Sequence, residues 1–299
     1  MEILLKALGK ATDGIRQGLR LSAVVLMICL LCGIWNSISS HSSLPTIVGV
    51  LGIYAAVLGA FGSMIQLSKD TVATLTDYSA LLIPIMASAA ALSGNPVSAT
   101  VLQSVTVLFA QLLMRIITKL LIPGVYLFLA LAAGEAALQN NLLGELREFL
   151  SWIISKTLRC LMYIFTVFLT LSGVISGNTD AMAVKTAKFA VSGMIPVVGS
   201  ILSDASESLL AGASILKNTV GIVGMLAVLG IAIVPFLRVG IQYLITKGAA
   251  ACSGAIAIKE HTSLLKHIST AMGFLLAMTG ICAILLLISG VCYLKVSPI

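Results

Sequence analysis

Apolar positions along this chain fall in long blocks, separated by short polar stretches. The blocks are Leu21–Trp35, Leu44–Ile65, Ser79–Gly94, Val97–Ile117, Leu120–Leu138, Trp152–Ser176, Phe189–Leu202, Thr219–Leu237, Val239–Ile258 and Thr270–Leu294. A helix that spans a bilayer takes about 20 apolar residues, so most of these blocks predict crossings. Ser79–Gly94 and Phe189–Leu202 are too short to cross comfortably, are rich in Gly, Ala and Ser, and each carries a proline. They read as tilted spans, broken helices or re-entrant segments, which membranes tolerate only where the backbone is buried in protein or lines a cavity. Residues 1–20 differ from the rest. Lys6, Lys10, Arg16 and Arg20 alternate there with Ile3, Leu4, Leu8, Ile15 and Leu19 at helical spacing. That pattern predicts an amphipathic helix at the membrane surface, followed by an uncleaved first span whose N-terminus faces the cytoplasm. The expected fold is therefore all-α: a polytopic membrane domain over residues 21–299 with about 8–10 membrane segments.

The pattern also suggests an internal repeat. Ile83-Pro84 followed by Ser88 recurs as Ile195-Pro196 followed by Ser200. At the same offset Val72 and Thr74 align with Val184 and Thr186, and Pro123 aligns with Pro235. The expected units are 44–138 and 152–258, with a terminal span at 270–294. Pro84, Pro123 and Pro235 are then repeat-equivalent positions, and short Pro-interrupted segments in two halves point to a transport pathway. Basic residues give a partial orientation, since cytoplasmic loops are enriched in Lys and Arg. Lys69, Arg115 with Lys119, Lys185 with Lys188, and Arg238 mark cytoplasmic sides, while Glu145, Arg147 and Glu148, and also Asp204 and Glu207, fall outside. Ten crossings would put the loop with Lys259, His261, Lys266 and His267 outside, against the rule, so one segment is expected not to cross.

Composition narrows the function. The chain is 59% hydrophobic and 10% charged, with mean hydropathy +1.11. A soluble domain carries about 25% charged residues, so a soluble globular enzyme is excluded, and so is disorder. The net charge of +7 is spread one or two residues at a time between apolar runs, with no basic face for nucleic acid. Cys29, Cys32, Cys160, Cys252, Cys282 and Cys292 all lie in or beside apolar stretches and read as small buried side chains. The sequence contains no G-x-x-x-x-G-K-[ST], no H-E-x-x-H and no G-x-S-x-G. No catalytic residue, metal or cofactor is expected.

The most polar interior stretch is Asn178–Asn218. Lys185 and Lys188 share one helical face before Pro196 and Gly199, and Asp204 with Glu207 follow at the same spacing. Charge at the bilayer centre is costly and usually faces a cavity or a partner. One reading makes Pro196 and Gly199 a helix break and these four charges the lining of an opening. The other leaves the charges at the interface, bounding a short helix. Lys156 and Arg159 can snorkel to the interface. Glu135 and Lys247 stand at equivalent places in the two units with opposite charge, and a salt bridge between them is a further expectation.

The run VKTAKFAVSGMIPVVGSILSDASES, Val184 to Ser208, closely resembles the stage III sporulation protein AE family. LLAGASILKNTVGIVG, Leu209 to Gly224, and LTLSGVISG, Leu169 to Gly177, continue the likeness, which extends more loosely from about Gly49 to the C-terminus. The resemblance implies a multi-pass protein of the mother-cell membrane around the forespore. It implies membership of a multi-protein channel needed for forespore development, as conduit or scaffold. Its partners would be the other integral membrane proteins of that complex, and self-association is compatible with it. The alternative is an independent permease for a small solute. Members typically begin with a signal sequence and an extracytoplasmic region, whereas this chain starts almost directly at the membrane.

Overall fold

The computed structural model describes residues 2–38, 43–92, 96–194, 199–255 and 257–295, with side chains at 14–38, 43–89, 91–92, 100–101, 103–167, 218–255, 257–291 and 294. The described residues contain helices and turns and no strand. The helices are α1 (Glu2–Ile38), α2 (Leu44–Leu92), α3 (Pro96–Ile116), α4 (Ile122–Leu138), α5 (Asn141–Met194), α6 (Gly199–Ser253) and α7 (Lys259–Lys295), with a five-residue π turn, Ile117–Leu121, between α3 and α4. Six stretches among the described residues are long and apolar enough to cross a membrane: Gly14–Ile38, Leu44–Ala89, Gln103–Leu138, Asn141–Val167, Asn218–Ser253 and Lys259–Val291. The fold is all-α and polytopic.

The apolar blocks are joined into fewer and longer rods than their separation in sequence suggests. α2 holds 49 residues, α5 54 and α6 55. Each holds more than twice the about 20 residues that one crossing takes. Between the blocks of α2, Gln66 and Lys69 favour helix while Ser68, Asp70, Thr71, Thr74, Thr76 and Asp77 do not, yet there is no Gly or Pro there to stop it. In α2, Gln66 Nε2 donates to Asp70 Oδ1 at 2.7 Å, a pair one turn apart that supports the helix where hydropathy falls. Likewise α1 runs unbroken, so the surface helix expected over residues 1–20 and the apolar run after it form one rod.

The prolines do not all act as breaks. Pro84 lies inside α2 and Pro235 inside α6, and both helices continue past them. Pro123 sits at the start of α4, just beyond the π turn, where Ile122 N–H reaches back to Ile117 O. The wider turn shifts the register of the backbone bonds ahead of a residue that has no N–H to give. Pro123 and Pro235, equivalent by offset, therefore stand in different local settings.

The chain divides into two compact units. The first comprises residues 1–72, 115–159 and 231–280, and the second 73–114, 160–230 and 281–299. In the first, α1 and α4 with segments of α2, α5, α6 and α7 surround a core of Val50, Ile53, Phe61, Val125, Phe128 and Leu275. In the second, Phe109 and Phe165 pack with centroids 5.0 Å apart beside Leu75, Leu113 and Cys282.

Candidate functional site

The polar chemistry described by the structure gathers at one end of the first unit, where α4 turns into α5 and α6 into α7. The α4–α5 turn is two residues long. Gln139 caps α4 with φ of 52°, and its N–H bonds Glu135 O at 2.9 Å. Asn140 Oδ1 then accepts from Leu142 N–H at 3.0 Å, starting α5. A side-chain amide suits this place, because an Asn oxygen satisfies one of the orphan donors of a helix N-terminus. The tight reversal brings Glu135 against the first turns of α5. A Cβ at Gly144 would lie 2.8 Å from Glu135 Oε1, so the carboxylate approaches α5 at a residue with no side chain in the way.

Glu135 there meets Arg147, with Nε to Oε2 at 2.6 Å. Arg147 is 8% exposed. Its guanidinium carbon lies 6.0 Å from the centroid of the buried Phe128 ring, and Nη2 is 3.5 Å from Glu148. Phe128 in turn takes His267 and Phe274 edge-on, at 6.2 and 5.5 Å. His267 Nε2 and Ser263 Oγ share a hydrogen bond at 3.2 Å. On the same end Gln139 Nε2 donates to Glu260 Oε1 at 3.3 Å. One ion pair and its rings thus tie α4, α5 and α7 together. Arg147 is buried and Glu135 half-buried, so removing one member strands a charge that water reaches in part, at the lower end of the about 3–5 kcal/mol known for fully buried pairs.

A second knot joins α1, α2 and α7. His261 is 0% exposed, and its Nε2 lies 3.2 Å from Thr46 O. A Cβ at Gly49 would overlap the His261 ring and crowd Cys32 Sγ. Glycine at 49 is therefore what lets the imidazole lie against the α2 backbone. Among the described residues no cluster of His, Cys, Asp and Glu could hold a metal ion. The arrangement fastens helices; it does not align a nucleophile, a base and an oxyanion donor.

The opposite end of the first unit is basic. Gly14 and Gln17 of α1, Ser63 and Met64 of α2, and Arg238 and Gln242 of α6 meet there. Arg16, Arg20 and Lys69 lie on the neighbouring turns of α1 and α2, and Arg115 and Lys119 begin the segment that leads into α4.

Lys185, Lys188, Asp204 and Glu207, with Gly199, lie on α5 and α6, but their side chains are outside the described residues, and Pro196 is outside them altogether. The expected bridge between Glu135 and Lys247 is not made. Glu135 pairs with Arg147, twelve residues on across a two-residue turn, and Lys247 Nζ donates to Tyr243 Oη at 3.0 Å, one turn away on its own helix. Both partners are nearer in the chain than the repeat offset proposed. Sequence reasoning had noticed Arg147 only as a loop marker. Its signal was available: a Glu late in one apolar helix and an Arg early in the next, with Gln-Asn between.

The model of the stage III sporulation protein AE family matches residues 1–296. The chain belongs to that family. Stage III sporulation protein AE of Bacillus subtilis (strain 168) is 26% identical over 232 residues, which are 78% of this chain and 58% of that relative. The match thus spans less than two thirds of the relative's length. No solved structure matches. The likeness carried by Val184–Ser208 is borne out, and with it a role of the stage III AE family in sporulation.

Proposed function

We propose that this stage III AE protein is a wall or scaffold component of a channel complex in the mother-cell membrane around the forespore. It acts by holding a conduit in shape and not by catalysis. The observation that carries the reading is the family match over nearly the whole chain. Two features of the structure support it. The described polar groups of the first unit fasten helices to one another, as a static element requires. In the second unit the cavity between Thr106, Phe109, Phe165 and Leu286 holds only about 20 Å³, close to the size of one water and apolar in most of its lining.

Orientation follows from charge. In the first unit the end with Arg16, Arg20, Lys69, Arg115, Lys119 and Arg238 would face the cytoplasm, and the Glu135–Arg147 end the far side. The partners would be other integral membrane proteins of the complex. Lys185, Lys188, Asp204 and Glu207 would line the opening, with Pro196 and Gly199 interrupting the helix. The permease reading drew on broken helices, and α2 and α6 run on through Pro84 and Pro235.

The test is a strain in which the chain is deleted, complemented with wild-type or D204N/E207Q protein, with spore counts and affinity purification from sporulating cells. The proposal expects loss of spores on deletion, a partial defect in the double variant, and co-purification of membrane partners. Solute uptake by liposomes holding this chain alone would favour the permease instead. Normal sporulation with D204N/E207Q would remove those two residues from the conduit lining.

A further inference from the structure

Between α6 and α7, within the first unit, lies a cleft of about 590 Å³. That is within the range of about 300–1,000 Å³ typical of small-molecule sites. Its lining divides into two parts. Lys247, Tyr243, Lys266, Ser269 and Thr270 give ammonium and hydroxyl groups, while Ala250, Ala251, Gly273 and Phe274 give smooth apolar wall. The glycine matters: a Cβ at Gly273 would lie 3.4 Å from the Tyr243 ring, so the ring rests against α7 itself. From there the Tyr243 hydroxyl accepts from Lys247 Nζ at 3.0 Å and fixes where that charge points. No acidic residue lines the cleft, and among the described residues neither lysine ammonium meets a carboxylate. The available carboxylates nearby are engaged, Glu135 by Arg147 and Glu260 by Gln139.

Depth adds to this. Lys247 is six residues before the end of α6 at Ser253, and Lys266 seven after the start of α7 at Lys259. Both therefore sit about 10 Å in from the α6–α7 turn. With the α6–α7 turn at the membrane surface, that depth is the boundary between headgroups and acyl chains, where two like charges from facing helices attract an anion. Basic pockets between membrane helices bind lipid phosphates in this way.

We propose that this cleft is a binding site for a phosphate-bearing anion, held by Lys247 and Lys266 with Ser269 as hydroxyl donor, while the Thr270 hydroxyl donates to Lys266 O at 3.0 Å and steadies that turn of α7. The phosphate is presented either by the headgroup of an anionic lipid or by a free anion. The proposal is independent of the conduit reading and needs only that the first unit be folded in a membrane.

The experiment uses the full chain purified in neutral detergent. Its thermal stability and retained lipid, by native mass spectrometry, are followed against phosphatidylglycerol, phosphatidylcholine and inorganic phosphate. Phosphatidylglycerol is expected to be retained in preference to phosphatidylcholine. K247Q/K266Q is expected to lower that apparent affinity roughly thirtyfold, two basic groups at about fivefold each, while K247R/K266R keeps most of it. The arginine pair shows that the site can be altered without loss of the fold. Stabilisation by inorganic phosphate, absent in K247Q/K266Q, would assign the site to a free anion. Equal retention of both lipids with no response to phosphate, or retention unchanged in K247Q/K266Q, would overturn the proposal.

Discussion

The two units solve the problem of packing helices in lipid by different means. The first joins its helices with charge and imidazole: Glu135 to Arg147, Arg147 over Phe128, His267 beside it, and His261 to the Thr46 carbonyl. The described interior of the second is held by shape. Its rings Phe109 and Phe165 meet at 56°, and its notable polar bond is a hydroxyl pair, Thr106 Oγ1 to Ser289 Oγ at 2.7 Å. In lipid the hydrophobic effect does not press helices together, so contact must come from close packing or from polar bonds. A unit pinned by directional bonds has few tolerated substitutions at the pins. A unit held by packing spreads its stability over many small contacts.

The contrast is open to direct attack. The largest effect is expected for Arg147→Ala, which leaves the half-buried Glu135 unpaired and opens a gap beside Phe128. Reversible unfolding in mixed micelles should show a loss at the lower end of about 3–5 kcal/mol, and replacing both partners by apolar residues should recover most of it. If E135L/R147M were as unstable as R147A, the pair would be stabilising beyond its own rescue. Next comes Phe165→Ala in the second unit, expected to cost about 3 kcal/mol through the void beside Phe109. Gly49→Ala follows, at about 1–3 kcal/mol, because the new methyl must displace the His261 ring. Combining it with His261→Ala should return part of the loss, and strict additivity of the two would deny the contact. The smallest effect is expected for Thr106→Val, about 0.6 kcal/mol, the usual worth of a hydrogen bond between membrane helices. A loss several times larger would mean that the second unit too depends on polar pins.

Much of the fold was legible because hydropathy over twenty residues is a summed signal. The described part of each apolar block is helical, except that Val239–Ile258 leaves α6 at Ser253 and ends in the α6–α7 turn. The joins between blocks were not legible in the same way. Lys69 or Arg238 lowers hydropathy without lowering helix propensity, so a dip in one scale is not a break in the other. The prolines show a related limit: Pro84 and Pro235 are carried inside long helices, since the sequence around a proline does not say whether neighbours will satisfy the freed carbonyl. For the site, charge patterning points to Asn178–Asn218, whose side chains lie outside the described residues, and it pairs Glu135 with Lys247 where the structure pairs it with Arg147. Glu135 had several cations within reach by composition, and only the two-residue turn at Gln139–Asn140 selects Arg147. Gly49 and His261 carry no signal at all, because 212 positions separate them and their fit is one of shape.

The close seat of α1 on α6 has a consequence for how the chain is made. A Cβ at Gly18 would collide with the ends of the Gln242 and Ile245 side chains, so those two side chains of α6 seat directly on the α1 backbone. Gly18 leaves the ribosome long before Gln242, and at about 5–20 residues per second the interval is roughly 10–45 s. For that time the first helix sits in the lipid with its glycine groove unfilled, open to any other small-faced helix. Biogenesis must therefore either be guarded by an insertase that holds α1, or tolerate provisional neighbours that α6 later displaces.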